Sequence, residues 1–120
     1  MPAKSLLIVL LVRDAGVRST MAARLSMHGV DVLTASEFHD PVMHRTRGRA
    51  VLVTDEAIAA EDRAEWAEAL QDEARWLRIV VLTAEPPEPS GPDDRLVFVQ
   101  QQHAAAQLVA LLPEWTDSGL

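Results

Sequence analysis

The chain has 120 residues, a formal charge of −7 from 11 basic and 18 acidic side chains, and no cysteine. That length fits one domain, which on folding would bury roughly two-thirds of the surface its unfolded chain exposes, enough for a core without staples. The missing cysteines exclude disulfides, thiolate catalysis and zinc–sulfur sites and point to a reduced, cytoplasmic setting. The negative balance argues against nucleic acid as a partner, because phosphate contact needs a basic face. The basic stretch His44-Arg45-Thr46-Arg47-Gly48-Arg49 is a local exception and reads as a solvated loop.

Residues 6–12 are an apolar run that ends on Arg13-Asp14, the pattern of a strand buried on both faces. The run is too short to cross a bilayer, so neither a membrane span nor a signal peptide is expected. From Gly16 to His28, Val17, Met21 and Leu25 recur at helical spacing, and Gly29 suits the left-handed residue that closes a helix. Residues 30–35 predict a second strand, less apolar and at the sheet edge. Asp40-Pro41 is a helix start, a capping carboxylate before a proline, with room for about two turns before Gly48. Residues 50–54 predict a third strand, with Asp55 one residue past its end. A helix opening at Glu61 or Asp62 would set Trp66, Leu70, Ala74 and Leu77 on one buried face. Residues 79–82 and 96–99 predict the fourth and fifth strands. A last helix from about His103 to Leu112 would pack Leu108, Leu111 and Leu112 and be stopped by Pro113.

Strands alternating with helical segments imply an α/β fold, a parallel sheet with helices on both faces, in a single domain over residues 1–120. The crossover between the fourth and fifth strands is anomalous. Its stretch Glu85-Pro86-Pro87-Glu88-Pro89-Ser90-Gly91-Pro92-Asp93-Asp94-Arg95 holds four prolines and a glycine, which cannot build an ordinary helix. It predicts a mobile loop of polyproline character, a fourth helix missing or very short, and a fourth strand uncovered on one face.

Two strands would deliver acids, Asp14 and Asp55, to the carboxyl edge, where open α/β sheets place their ligands. The alternative is that both acids simply cap the helices that follow their strands. A dinucleotide site is not supported, since Arg13-Asp14-Ala15-Gly16 lacks the glycines that permit close phosphate approach. The four histidines are scattered, and His39 and His44 share no helical face, which argues against a histidine-built metal site.

At these residues the chain resembles response-regulator receiver domains. The resemblance is carried by residues 8–14, 50–55 and 78–84 and by the strand ends Arg13-Asp14, Asp55, Thr83-Ala84 and Gln100. It implies a flavodoxin-like five-stranded sheet in the order 2-1-3-4-5, with a crevice between the first and third strands. It implies a phosphorelay signalling domain and not an enzyme. Asp55 would be the phospho-accepting carboxylate, taking a phosphoryl group from a histidine kinase. Asp14 would hold Mg²⁺ together with Asp55, and Thr83 would bond the phosphoryl group through its hydroxyl. The face made by the fourth strand, fifth strand and last helix would serve as a homodimer contact.

Two positions depart from the family's pattern. Arg13 stands where receivers carry the first metal-binding acid, and Gln100 stands where they carry a lysine, followed by Gln101 instead of proline. A guanidinium about 6 Å from a divalent ion would oppose its binding by about 5 kcal/mol at an effective dielectric near ~20. Gln100 donates a hydrogen bond but adds no charge. Two readings follow. Either Asp55 accepts phosphate in a degenerate pocket with weak Mg²⁺ support, or Arg13 pairs with Asp55 or Asp14 in place of the metal. In the second case the chain is a phosphorylation-independent pseudo-receiver, a module for protein–protein contact. A small-molecule binder using the same crevice is the third option, since fold does not imply function.

Overall fold

The computed structural model describes residues 6–44, 50–73, 75–88 and 95–117. Five strands form: β1 (Leu7–Leu11), β2 (Asp31–Ala35), β3 (Ala50–Asp55), β4 (Trp76–Thr83) and β5 (Leu96–Gln100). Among the described residues four α-helices accompany them: α1 (Ala15–Ser26), α2 (Glu56–Glu61), α3 (Arg63–Gln71) and α4 (Ala104–Asp117). Short 3₁₀ turns cover Pro41–His44 and Gln101–His103. All strand pairs are parallel and the sheet order is β2-β1-β3-β4-β5, the expected arrangement.

The continuous apolar runs become central strands because both faces of the sheet are covered. Successive side chains of a strand point to opposite faces, so Ile8 and Leu10 face one core while Val9 and Leu11 face the other. The first core packs Met21 and Leu25 of α1 with Leu108, Leu112 and Trp115 of α4 over Val51, Val53, Val80 and Leu82. The second sets Ile58 of α2, Ala69 of α3 and Met43 over Leu52, Trp76 and Ile79. At the edge, β2 exposes Asp31 and Thr34, which accounts for its weaker apolar pattern. Gly29, with φ of 81°, turns the chain after α1 as its position suggests.

Several expectations change. The helix expected after Asp40 is a single 3₁₀ turn, Pro41–His44; its remaining span, 45–49, lies outside the described residues. The helix expected from Glu61 or Asp62 is two helices, because Asp55 caps α2 from Glu56 onward and the chain breaks at Asp62 (φ −106°, ψ 59°). Trp66 and Leu70 pack half-buried against the second core, as expected of core residues. The shared face ends there. α3 stops at Gln71, Ala74 lies outside the described residues, and Leu77 belongs to β4 beside the fully covered Trp76. The end of α3 is held by Arg95, whose guanidinium donates to the carbonyls of Leu70, Ala69 and Trp76. A cation on the last carbonyls of a helix satisfies orphan acceptors and opposes the negative end of its dipole.

Pro113 does not stop the last helix. α4 runs on to Asp117 with Pro113 inside it, and Trp115 is 3% exposed against the first core. One backbone hydrogen bond is lost at the proline, and burial of an indole offsets it. In the β4–β5 crossover, residues 84–88 form no helix; 89–94 lie outside the described residues, and with them most of the expected polyproline loop. β4 nevertheless keeps its cover, with Ile79, Val80, Val81 and Leu82 at 3% exposure or less: α2 and α3 contact the strand on the side of the second core, and Val80 and Leu82 lie in the first core with α1 and α4. The exposed position is Phe98 in edge strand β5, at 41%.

Trp115→Ala is expected to lower stability by about 3 kcal/mol in denaturant unfolding, as for a buried aromatic. An unchanged midpoint would mean that the chain beyond Pro113 is not docked on the core.

Candidate functional site

Asp55 is at once the last residue of β3 and the cap of α2. Its backbone is extended (φ −119°, ψ 168°), and its Oδ1 accepts the Ile58 N–H at 2.8 Å. The other oxygen, Oδ2, accepts the Arg13 N–H, also at 2.8 Å, from the segment that follows β1. The side chain sits in a nearly closed position, 8% exposed. Asp14 works the same way for α1: its Oδ1 accepts the Val17 N–H at 3.0 Å. A Cβ at Gly16 would lie 3.3 Å from that oxygen, so glycine leaves the cap its room. Both acids are therefore helix caps, and both stand at the carboxyl ends of neighbouring parallel strands.

Arg13 replaces the expected pairing with a different one. Its guanidinium forks onto Glu61, Nη1 donating to Oε1 at 2.7 Å and Nη2 donating to Oε2. Glu61 closes α2, an element that begins earlier than the sequence pattern suggests, so the acid arrives where Asp55 or Asp14 was expected to serve. Two parallel N–H···O bonds match guanidinium to carboxylate geometrically. The Glu61 hydrogen bond raises the Arg13 pKa above its ordinary value, and the same bond holds the Glu61 carboxyl below its own. A depressed acid stabilises the fold above its ordinary range, and that contribution disappears as pH falls through the lowered value. Exposure to solvent keeps it small.

Thr83 and Gln100 pair in register at the ends of β4 and β5, and Asp55 lies opposite Leu82, the residue before Thr83. The sequence-selected residues thus collect along one edge: Arg13, Asp14, Asp55, Thr83 and Gln100. The last two turn toward the β4–β5 connection. Thr83 Oγ1 donates to the Glu85 carbonyl at 2.6 Å, with the Val99 carbonyl at 3.4 Å as the alternative acceptor. Gln100 Nε2 donates to the Ala84 carbonyl at 3.4 Å.

Three residues at this edge were not legible beforehand. Glu61 holds Arg13, Glu56 accepts the Ala84 N–H at 3.0 Å, and Arg18 donates to the Val12 carbonyl at 2.6 Å. Glu56 follows once Asp55 is read as a helix cap, since an acid in a first turn suits a helix start, and Glu61 then falls at the end of the same short helix. Arg18 carries no such signal. Among the described residues no three carboxylates or imidazoles converge into a metal-binding group, and no helix is long and apolar enough to cross a membrane.

A solved structure has this architecture: the N-terminal domain of a response regulator/sensory box/GGDEF 3-domain protein from Carboxydothermus hydrogenoformans. The two superpose with a TM-score of 0.62 over 92% of this chain and 93% of that one, at 15% identity. The chain has the receiver fold. At that identity the likeness concerns the fold alone, and neither a family model nor a curated protein sequence matches the receiver-like chain.

Asp55→Ala would leave the Arg13 and Ile58 N–H groups without their acceptor in a nearly closed site. We expect a loss of about 2–3 kcal/mol in denaturant unfolding, and a loss about 1 kcal/mol smaller for Asp55→Asn, whose amide oxygen keeps one bond. Equal losses would show that the negative charge matters more than the accepting atoms.

Proposed function

We propose that the chain is a phosphorylation-independent pseudo-receiver, a signalling module that acts through protein contact. The observation that carries this reading is the double engagement of Asp55, each of whose carboxylate oxygens accepts a backbone N–H. A carboxylate nucleophile attacking phosphorus needs an available oxygen and a cation to screen the approach of two anions. Here N–H groups already draw on both oxygens, and Asp14 spends one of its own on Val17. Mg²⁺ would find two carboxylates committed to helix caps, with the Arg13 backbone and guanidinium close by. It enters this reading as a weak ligand at most. The placement of Asp14, Asp55, Thr83 and Gln100 along one edge supports the competing reading, in which Asp55 accepts a phosphoryl group from a histidine kinase with Mg²⁺ bound between the acids.

Incubation with Mg²⁺ and acetyl phosphate, followed by intact-mass measurement, separates the two. No mass increase is expected for the wild-type chain, and none for the double variant Arg13→Asp, Gln100→Lys, which binds Mg²⁺ more tightly but keeps both backbone N–H groups on Asp55. Phosphorylation of wild-type Asp55 would overturn the reading.

The contact surface in this proposal is the face around Phe98, and the occupant is a second copy. Phe98 stands between two open apolar grooves, one toward Trp66 and Leu70 of α3 and one along Ala110 and Leu111 of α4. A protruding aromatic beside a groove is complementary to itself under a two-fold axis, and the outer edge of β5 is the side on which the sheet ends. Sedimentation is expected to give a dimer for the wild type and a monomer for Phe98→Glu. A wild-type monomer at high concentration would rule the contact out.

A further inference from the structure

Where two helical turns were expected after Asp40 the chain makes a single 3₁₀ turn, and a cavity of about 170 Å³ remains between that segment and α3. Its floor is apolar, made by Phe38, Met43, Ala69 and the indole of Trp76. Trp76 opens β4, at the other end of the strand from Thr83. Glu65, Glu68 and Asp72 follow one another at i, i+3 and i+7 along α3 and just past its end, which brings all three to the rim. The chain itself seats one cation here. The Arg75 guanidinium carbon lies 4.6 Å from the centre of the Trp76 ring, a cation–π contact. Burial lowers the Arg75 pKa below its ordinary value, and the charge of Asp72 opposes that shift. An aromatic face and a carboxylate thus stand in for part of the water around a cation. His39 Nε2 stands 3.6 Å from Glu65 Oε1, whereas Glu68 is in no ion pair among the described residues. The rim therefore keeps an excess of negative charge above an apolar floor.

We propose that this cavity binds a small organic ammonium ion whose apolar body is the size of a benzene ring. The body rests on Phe38, Met43 and Ala69 beside the Arg75–Trp76 stack, and the ammonium group sits at the rim with Glu65 and Glu68. Volume sets the size: a cavity of about 150 Å³ holds benzene, whereas drug-sized ligands fill roughly 300 Å³ or more. Charge sets the sign. A carboxylate on the same body would meet three acids beside a poorly hydrated floor, and a neutral body would leave Glu68 without a counter-charge. The cavity shares no lining residue with the grooves beside Phe98, and none of Arg13, Asp14, Asp55, Thr83 or Gln100 lines it. A ligand here would bridge the segment after β2 and α3, on a surface separate from the partner contact.

Titration of the ¹⁵N-labelled full chain with phenethylamine, followed by NMR, tests the proposal, with phenethyl alcohol and phenylacetate as the neutral and anionic controls. Phenethylamine is expected to move the amides of Phe38, His39 and residues 65–69 and to saturate. Phenethyl alcohol should bind about fivefold more weakly, the value of a partly exposed charge contact, and phenylacetate more weakly still. Glu68 is exposed, so Glu68→Gln keeps the fold. That variant should weaken phenethylamine about threefold and leave phenethyl alcohol unchanged, a split that a merely structural role would not produce. Equal affinity for the three probes, no saturable shift with millimolar phenethylamine, or shifts centred on Phe98 would overturn the proposal. The reading of Asp55 is tested separately, since phosphorylation of that residue alters nothing at this cavity.

Discussion

Two backbone N–H groups, one from Arg13 and one from Ile58, converge on the carboxylate of Asp55, and the layout of the whole edge follows from that convergence. A helix start leaves orphan donors that something must satisfy, and Asp55 satisfies one of them while also gripping the end of β1. Once α2 is started in that direction, Glu56 leads its first turn and faces Ala84, and Glu61 closes it within reach of Arg13. One acid at a strand end thus positions two more acids, each against a donor from a different strand end. The sheet's carboxyl edge is held by side chain-to-backbone bonds as much as by the strand ladder.

Arg13 sets the character of this network. A cation at the mouth of a crevice bearing Asp14 and Asp55 would ordinarily be drawn to them, and Asp55 does attract it. The guanidinium is taken instead by Glu61, whose two oxygens fit its fork. The exchange leaves Asp55 free to serve the backbone, and it leaves the edge polar and internally matched. Satisfied networks of this kind favour one conformation over several. They also suit a module that presents a fixed surface better than one that reorganises around an incoming group.

The sheet was readable because burial on both faces erases alternation: runs such as Val51-Leu52-Val53 and Ile79-Val80-Val81-Leu82 have no polar position for solvent to claim. Strand order came from the family resemblance, and the structure has it. The helices were less readable, each for a local reason. α2 is hidden because it is only six residues long and Glu61-Asp62 offers a later helix start, although Asp55 also reads as a cap. Trp66, Leu70 and Leu77 fit a helical period, yet Trp76 and Leu77 fit strand alternation equally well, and the turn around Asp72 decides between them. Pro113 suggested an end because propensity is local, while the burial of Trp115 is tertiary and outweighs it. At the site, the edge on which Arg13, Asp14, Asp55, Thr83 and Gln100 would gather was legible; their partners were not, since Glu56 and Glu61 belong to the helix that was missed.

The proline-rich crossover and the Asp55 network meet at one surface. Without a helix among the described residues after β4, cover for that strand has to come from the β3–β4 side, and α2 and α3 supply it. They cover β5 only in part, at Leu96, and Phe98 of the same edge strand is an exposed large apolar side chain; Met27, in the turn after α1, is the other among the described residues. The groove beside Phe98 is walled by the same α2 that Asp55 caps, with Glu56 at its rim. The groove and the caps at Asp55 and Glu56 are therefore joined by one short helix, with no longer chain of residues between them. The edge and the face thus share α2, whichever of them a partner engages.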